Sequence, residues 1–333
     1  GGWFSDDDGL SWSRIEQGLT ELQVEALTPV SEAGSLFAGT DGGGVFRSDD
    51  GGLNWTPNNQ GLSNLHITSL LMDSDTGKLF AGTWDGLFFS EDTGQTWNSI
   101  SLGRFEDPPV WSLMSVDQPR DFLFCTTSYG VFRSEDGGEI WRQSNSGLET
   151  LRARSITAGP DTKSVFVGTS WWGVQAPIDY REWLSGTATF GIRNGIFRSD
   201  DWGNSWYRVL DIENSVLDLT AWSEKSRLLA STSEETLYSD DEGMTWQPLE
   251  REDTLIGNVW AIETDPSGKM LYLATGGQGV LRSDDEGATW QATNRGLPDL
   301  AVTCLVWDEE GTMFSGTLGG LARYDESAGT WQT

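Results

Sequence analysis

The sequence predicts an all-β fold built from repeated four-stranded units arranged as a ring. Three observations lead to this prediction. The 333-residue chain contains 18 Trp and 41 Gly, and the glycine content is well above the usual share. A motif, Ser-x-Asp-x-Gly-x-(Thr/Ser/Asn)-Trp, recurs along the chain. The runs between its copies are short, rich in β-forming residues and separated by Gly, Asp and Asn, and none has sustained helical spacing.

The motif occurs in seven well-formed copies and one degenerate copy, which retains Gly329, Thr330 and Trp331. Its tryptophans are Trp12, Trp55, Trp97, Trp141, Trp206, Trp246, Trp290 and Trp331. Neighbouring members of this series are 43, 42, 44, 65, 40, 44 and 41 residues apart. A period near 42 residues, with one insertion of about 20, suits a β-propeller blade of four short strands.

Each repeat is expected to supply four strands in a fixed order, as the second repeat shows. An apolar run at 67–72 is followed by a polar turn, and a second run at 78–83 ends in Gly-Thr. A third run follows Gly86, and the fourth strand begins at Trp97. The first strands are expected to begin near Val24, Ile67, Trp111, Ser155, Val216, Val259 and Val302.

These strands predict a single domain, residues 1–333, with seven blades. Residues 3–14 supply a third and a fourth strand with no first pair upstream. We therefore expect the terminal segments to close the ring together, because closure removes exposed sheet edges. The alternative is an eight-bladed ring with one incomplete blade.

The motif has a structural rationale at the turn between the third and fourth strands. An Asp carboxylate and a Ser hydroxyl can bond the N–H groups of the turn, and Gly adopts a positive φ at little cost. The Trp side chain is expected to fill space between blades. We therefore interpret the motif aspartates as structural.

The repeat resembles that of the Asp-box (BNR) family, whose members are β-propellers. The resemblance covers nearly the whole chain, and seven copies in phase make it far more specific than a single motif. The family members that the chain resembles include sialidases, xyloglucan-active glucanases, sortilin-type receptors and the photosystem II assembly factor. They share a fold and not a function. The resemblance implies that the boxes lie on the outer rim, away from any ligand site.

The face opposite the boxes, around the central channel, is therefore the expected place for a ligand. Loops between second and third strands would bring Asp41, Trp84, Asp85, Tyr129, Trp171, Trp172, Glu234, Glu235 and Gln278 to it. Loops between blades would add His66, Arg104, Glu106, Asp107, Arg152, Arg154 and Asp299. Aromatic surfaces bordered by carboxylates are suited to a sugar ring or an extended peptide.

The insertion lies in the fourth blade, at about 171–194. Long loops in a tightly repeated fold are often functional, because ordering them costs entropy. Its Trp171, Trp172, Tyr180 and Trp183 are expected either to cover the channel mouth or contact a partner, or else to pack locally.

Charge and composition exclude several classes of function. The net charge of −30 excludes nucleic-acid binding, which draws its affinity from clustered Lys and Arg. No window is apolar enough for a membrane span. Cys125 and Cys304 are expected to be buried free thiols, and one His with two Cys leaves no His/Cys metal cluster. No cofactor is expected. The acidic surface is expected to be solvated, with a cationic partner as the alternative.

These observations favour a non-catalytic propeller that recognises a protein or peptide on its channel face. The alternative is a carbohydrate-active protein, either a glycan-binding module or a glycoside hydrolase, which needs two carboxylates about 5 to 10 Å apart. A sialidase is disfavoured, because Arg14-Ile15 is followed by Glu16 where the family motif has Pro. We expect a monomer that is exported, with no signal peptide in this chain.

Overall fold

The computed structural model of the protein describes residues 3–4, 13–14, 17–30, 35–103, 107–116, 122–170, 194–249, 256, 258–308, 310–325 and 329–332. These residues form 30 β-strands and a single short 3-10 helix, Ser223–Lys225. The prediction of an all-β fold is confirmed. No helix in this part of the chain has the length and apolar character needed to cross a membrane.

Twenty-eight of the strands form seven four-stranded antiparallel sheets, the blades. Blade 1 contains β3 (Val24–Pro29), β4 (Leu36–Thr40), β5 (Gly44–Ser48) and β6 (Thr56–Pro57). Blade 2 contains β7 (Ile67–Met72), β8 (Leu79–Thr83), β9 (Gly86–Ser90) and β10 (Asn98–Ile100). Blade 3 contains β11 (Val110–Val116), β12 (Phe122–Thr127), β13 (Gly130–Ser134) and β14 (Arg142–Gln143).

Blade 4 contains β15 (Ala153–Ala158), β16 (Val165–Thr169), β17 (Asn194–Ser199) and β18 (Tyr207–Ile212). Blade 5 contains β19 (Val216–Trp222), β20 (Arg227–Thr232), β21 (Thr236–Ser239) and β22 (Gln247–Pro248). Blade 6 contains β23 (Val259–Thr264), β24 (Leu271–Thr275), β25 (Val280–Ser283) and β26 (Gln291–Ala292). Blade 7 contains β27 (Val302–Trp307), β28 (Met313–Thr317), β29 (Gly320–Asp325) and β30 (Thr330–Gln332).

The predicted strand order is confirmed, with small shifts in two blades. The first strand of blade 3 begins at Val110, one residue before the predicted Trp111, and that of blade 4 begins at Ala153 rather than Ser155. The first strand of each blade packs against the first strands of the two neighbouring blades, all the way around the ring. The first strand is therefore the innermost strand of every blade.

The ring closes between blade 7 and blade 1, and the seven-bladed prediction is confirmed. The hydroxyl of Thr303 donates a hydrogen bond to the carbonyl oxygen of Val24. A Cβ added to Gly316 would lie 2.9 Å from Cγ1 of Val24, so the absence of a side chain there allows this close approach.

The mode of closure differs from the expectation. Strands β1 (Trp3–Phe4) and β2 (Ser13–Arg14) pair with each other as a separate two-stranded sheet. They add no strand to a blade, because β29 and β30 already supply the third and fourth strands of blade 7. Packing between complete blades, and not a blade shared by the two termini, therefore closes the ring.

The core consists of seven hydrophobic clusters, one at each interface between neighbouring blades. The cluster between blades 1 and 2 packs Phe37 and Val45 against Ile67, Leu79 and Trp97. Motif tryptophans occupy all seven clusters; they are Trp55, Trp97, Trp141, Trp206, Trp246, Trp290 and Trp331. The expectation that these side chains fill space between blades is confirmed for these seven copies.

The motif aspartates hold the turn between third and fourth strands. In blade 2, Ser90 Oγ donates to Asp92 Oδ1 (2.7 Å) and accepts from the N–H of Gly94 (2.8 Å). The Asp92 carboxylate accepts from the N–H of Thr96 (2.8 Å) and from its hydroxyl (2.6 Å). The carboxylate-to-backbone bond recurs at Asp50, Asp136, Asp201, Asp241 and Asp285. In the described copies these carboxylates are structural.

Candidate functional site

Each innermost strand carries a bulge at its second residue. The pairing register with the second strand skips one residue in all seven blades, for example between Val24 and Ala26. The skipped residues are Glu25, Thr68, Trp111, Arg154, Leu217, Trp260 and Thr303. A bulge leaves the extra residue outside the ladder and re-aims its side chain, and bulges often lie next to functional sites.

All seven skipped residues line one cavity of about 560 Å³ at the mouth of the channel. Its lining also includes Ser233 and Leu318, which lie in turns between second and third strands. The cavity therefore opens on the face opposite the Asp boxes, as the sequence predicted for a ligand site. Its volume lies within the range of about 300–1,000 Å³ that is usual for small-molecule pockets.

Arg154 is the one cationic residue in the described part of this lining. Arg154 lies over the ring of Trp111, with its Cζ 4.8 Å from the ring centroid. Burial lowers the pKa of Arg154, while the charges of Glu25 and Asp218 act in the opposite direction. Among the described residues, no hydrogen bond or ion pair reaches this guanidinium.

Two carboxyl groups, those of Glu25 and Asp218, lie within electrostatic range of Arg154, and a third, that of Glu263, interacts with Asp218. Burial raises the pKa of Glu25, whose Oε1 accepts a hydrogen bond from Gln23 (2.9 Å). Burial raises the pKa of Asp218 to about 6, although its Oδ2 accepts from the N–H of Ile262 (2.9 Å). Burial, with a smaller contribution from Asp218, raises the pKa of Glu263 to about 8. At neutral pH, Asp218 is therefore mostly ionised and Glu263 mostly protonated.

A row of aromatic side chains extends from the cavity to the exposed surface around its mouth. The rings of Trp111 and Trp84 meet edge to face with centroids 6.1 Å apart, and Trp84 is 56% exposed. The ring of His66 also lies 6.1 Å from that of Trp84, and His66 Nδ1 contacts the carboxylate of Asp41. The structure thus joins two predicted site residues, Asp41 and Trp84, to Trp111 and, through it, to Arg154.

The other predicted site residues do not line the cavity where the structure describes them. Asp85, Glu234 and Glu235 are exposed in their turns. Tyr129 is partly buried and packs against the cluster between blades 2 and 3. The predicted Trp171, Trp172, Tyr180 and Trp183 lie outside the described residues, as does the rest of the insertion up to residue 193. The predicted end of the insertion, Asn194, is the first residue of β17.

Several cavity residues were missed because the sequence places them inside strands. Trp111, Asp218 and Trp260 belong to innermost strands, whereas the ligand contacts predicted from the sequence lie in loops. Arg154 was expected in a loop between blades but lies in β15. One signal was available. Aligning the repeats at the start of each first strand shows a varied residue after a mostly β-branched one, such as Glu25 after Val24 and Trp111 after Val110.

The described residues offer few groups for metal or thiol chemistry. Within the described parts of the chain, no group of three or more His, Cys, Asp or Glu residues is arranged to hold a metal ion. Both cysteines are free; Cys125 is buried and Cys304 is partly buried. Burial raises the pKa of Cys304 to about 12, so its thiol is protonated at neutral pH and is a weak nucleophile.

Sequence comparison identifies the repeat. Residues 237–248, which span the sixth box, match the model of the BNR/Asp-box repeat. No curated protein sequence matches the chain significantly.

Structural comparison identifies the fold. The chain is similar to the extracellular domain of a candidate hybrid two component system from B. thetaiotaomicron, with 18% identity and a TM-score of 0.73 over 94% of this chain and 40% of that one. It is similar to an ancestral GH74 enzyme, with 15% identity and a TM-score of 0.69 over 100% of this chain and 47% of that one. YCF48 bound to D1 peptide is 15% identical, with a TM-score of 0.64 over 92% of this chain and 95% of that one.

The chain spans less than half the length of the first two of these structures. At these identities the similarity concerns the fold. The repeat match, the recurring hydrogen bonds of the boxes and the ring of seven blades agree with one another. The chain is a seven-bladed β-propeller that carries BNR/Asp-box repeats.

Proposed function

We propose that this chain is a binding propeller that recognises a protein or peptide segment at the mouth of its channel. The observation that carries the proposal is the convergence of seven bulged residues, one from each blade, on a single cavity. The cavity brings together the indoles of Trp111 and Trp260, the Arg154 guanidinium and the carboxylates of Glu25 and Asp218. Buried charges cost stability unless they are paired, so this combination favours a role in recognition.

Exposed apolar side chains around the mouth support the same proposal. Leu65, Leu151 and Leu300 are exposed in connections between blades, and Trp84 and Leu318 are exposed in turns between second and third strands. Backbone hydrogen bonds hold these two kinds of loop side by side, as between the N–H of Leu318 and the carbonyl of Ala301 (3.1 Å). Apolar surface around a polar cavity is typical of a partner-binding face.

One structural neighbour supports a peptide ligand by analogy. The YCF48 structure contains a bound D1 peptide, and this chain covers 95% of that chain. The analogy rests on fold, since the identity is 15%, and shared folds host different functions.

The test is a binding screen of the full chain against a peptide library, followed by titration of the selected peptides. Trp111→Ala is expected to weaken binding about tenfold or more, because truncating a buried aromatic anchor removes apolar contact. Met244→Ala, an exposed residue of a box turn on the opposite face, is the matched control and is expected to bind normally. If no peptide binds, or if peptides bind Trp111→Ala as tightly as the parent chain, the proposal is wrong.

A carbohydrate-active protein is the second candidate, favoured by one observation. Glu25 and Asp218 line the same cavity, and burial raises the pKa of both. Glycosidases use two carboxyl groups, one of them protonated near the working pH. Release of product from chromogenic glycosides that is lost in both Glu25→Gln and Asp218→Asn would support this candidate, whereas inert glycosides would count against hydrolysis.

A further inference from the structure

We propose that the bound segment enters the cavity with its free amino terminus. The α-ammonium group pairs with the carboxylates of Glu25 and Asp218, and the first peptide carbonyl accepts hydrogen bonds from the guanidinium of Arg154. This inference rests on the proposed function and names the part of the peptide that is recognised.

The first argument is the unsatisfied guanidinium. Arg154 carries five N–H donors, and among the described residues it makes a ring contact with Trp111 without any hydrogen bond or ion pair. None of its nitrogen atoms is among the fully buried, unpartnered atoms of the described residues, so these donors are accessible from the cavity. A ligand that places a carbonyl oxygen in the cavity can accept hydrogen bonds from them.

The second argument is the charge balance of the cavity. Of the described residues, Glu25, Asp218 and Arg154 are the charged side chains in its lining. Two carboxylates and one guanidinium leave an excess negative charge at neutral pH, which a single ammonium group neutralises. A ligand carboxylate would meet Arg154 but would also face both of these carboxylates, and like charges repel.

An amino terminus fits this cavity better than a lysine side chain does. A lysine ammonium would satisfy the carboxylates, but its aliphatic stem brings no oxygen close to Arg154. At an amino terminus, the ammonium and the first carbonyl are attached to the same Cα atom. This arrangement matches the two carboxylates and the guanidinium that line the same cavity. Capture of an N-terminal amine is a known mode of peptide recognition.

The walls of the cavity are suited to an ammonium with an apolar first side chain. Trp111 and Trp260 both line the cavity, and indole faces attract cations and bury apolar groups. The position of Trp260 depends on Gly276, because a Cβ added to Gly276 would lie 2.8 Å from Cζ2 of the indole. The turn after β24 thus makes room for this wall.

The field around the mouth has the sign that attracts an ammonium group. The described loops of this face carry more acidic than basic residues. The acidic ones are Glu21, Asp41, Asp85, Asp107, Glu149, Glu213, Glu234, Glu235 and Asp299, and the arginines are Arg152 and Arg295. The whole chain carries a net charge of −30. Acidic clefts concentrate cations and raise their rate of association.

The first experiment compares three forms of each peptide selected in the library screen. The forms carry a free amino terminus, an acetylated amino terminus, or a free amino terminus with an amidated carboxyl terminus. Acetylation is expected to weaken binding to the full chain at least tenfold, and amidation to leave it unchanged. Peptides that bind equally well after acetylation would overturn this inference while leaving the proposed function standing. Absence of peptide binding would overturn both.

The second experiment follows the affinity for a free-terminus peptide against pH. Affinity is expected to fall below pH 6, as Asp218 takes up a proton, and above about pH 8, as the α-amino group of the peptide loses one. Burial also raises the pKa of Glu25, which lines the cavity and contributes to the acid limb. Glu263, whose pKa is raised to about 8, is already protonated below pH 7 and does not contribute to this limb. Asp218→Asn is expected to weaken binding and flatten the acid limb. A profile that is level from pH 5 to 9 would contradict the inference.

Control variants keep this result interpretable. Glu310→Gln, an exposed residue between β27 and β28, removes one negative charge at the other end of the blades and is expected to bind normally. If thermal unfolding shows that Asp218→Asn is not folded, Glu25→Gln is used instead, with the same expected loss of affinity. Free α-amino acids are tested as competitors. Competition as strong as that of the peptides would overturn the assignment to a peptide terminus.

Discussion

At the scale of single residues, the box carboxylates and the channel carboxyl groups have opposite environments. Hydrogen bonds from the Thr289 side chain and N–H, together with the Ser283 hydroxyl, lower the pKa of Asp285 to about 2. Burial raises the pKa of Asp218 to about 6. The same residue type therefore stabilises a turn on one face of the ring and remains available to a ligand on the other.

The box carboxylates predict a defined response to acid. The pKa of Asp285 in the folded chain lies below its unfolded value of about 3.9. Its contribution to stability is therefore present above pH 4 and is lost as the pH falls towards 2. Asp285→Ala is expected to lower the melting temperature at pH 7 by several degrees, and the difference from the parent chain is expected to shrink between pH 4 and pH 2.

Thermal unfolding followed by circular dichroism at a series of pH values measures this effect. Asp284→Ala is the matched control, because it removes an equal charge from the adjacent exposed position. A melting temperature that falls equally in both variants, or a difference that does not depend on pH, would contradict the structural role of Asp285.

At the scale of elements, the connections between blades attach each blade to the next. Residues 58–61 leave β6 of blade 1 and run beside Trp97 of blade 2. The N–H of Trp97 donates to the carbonyl of Gln60 (2.8 Å), and its indole N–H donates to that of Asn58 (2.8 Å). Gly61 has a φ of +98°, and an added Cβ would lie 2.2 Å from the Trp97 carbonyl oxygen. The connection thus requires glycine at position 61 both for its positive φ and for its close contact with the Trp97 backbone.

Gly61→Ala is therefore expected to destabilise the protein by at least about 3 kcal/mol, because backbone strain and steric overlap add together. Gly77→Ala is the control, since Gly77 also has a positive φ (+69°) but has no atom within 4 Å of an added Cβ. Its expected cost is about 1 kcal/mol. Chemical denaturation of both variants measures the difference, and equal costs would show that contact with Trp97 is unimportant.

At the scale of the whole molecule, stability depends on the seventh interface being formed. Blade 7 places Phe314 and Leu321 in a shared cluster with Val24, Phe46 and Trp55 of blade 1. Each blade buries its two faces against two neighbours, so opening the ring exposes two apolar faces at once. The closed ring is therefore expected to unfold as one unit.

Removing residues 302–333 is expected to abolish cooperative thermal unfolding, because blades 1 and 6 lose the cluster partners that blade 7 supplies. Removing residues 1–16 is the matched control, since β1 and β2 pair only with each other in the described structure. That deletion is expected to leave the melting temperature nearly unchanged. A cooperative transition near the original temperature after the first deletion, or its loss after the second, would contradict this account of closure.

The repeat made most of the fold predictable. The predicted strands of the second repeat lie within one residue of the observed ones, and all seven first strands begin within two residues of the predicted positions, because every blade repeats similar local chemistry. The face on which the cavity opens was also predictable, because strand order alone places Asp41 and Trp84 in turns on that face. The cavity lining was not, because the bulge that re-aims Glu25 and Trp111 arises from pairing and leaves no distinct turn signal in the sequence.

The sequence by itself thus determined the four-stranded blade and the structural role of the boxes, since both depend on interactions within about 40 residues. The choice between seven and eight blades depended on how the ring closes. Only the tertiary structure decided which residues meet at the channel mouth. Glu25, Arg154 and Asp218 come from blades 1, 4 and 5, and their proximity exists only when the ring is closed. Ring closure also enclosed these charges, which explains why their pKa values depart from those of the same residues in the boxes.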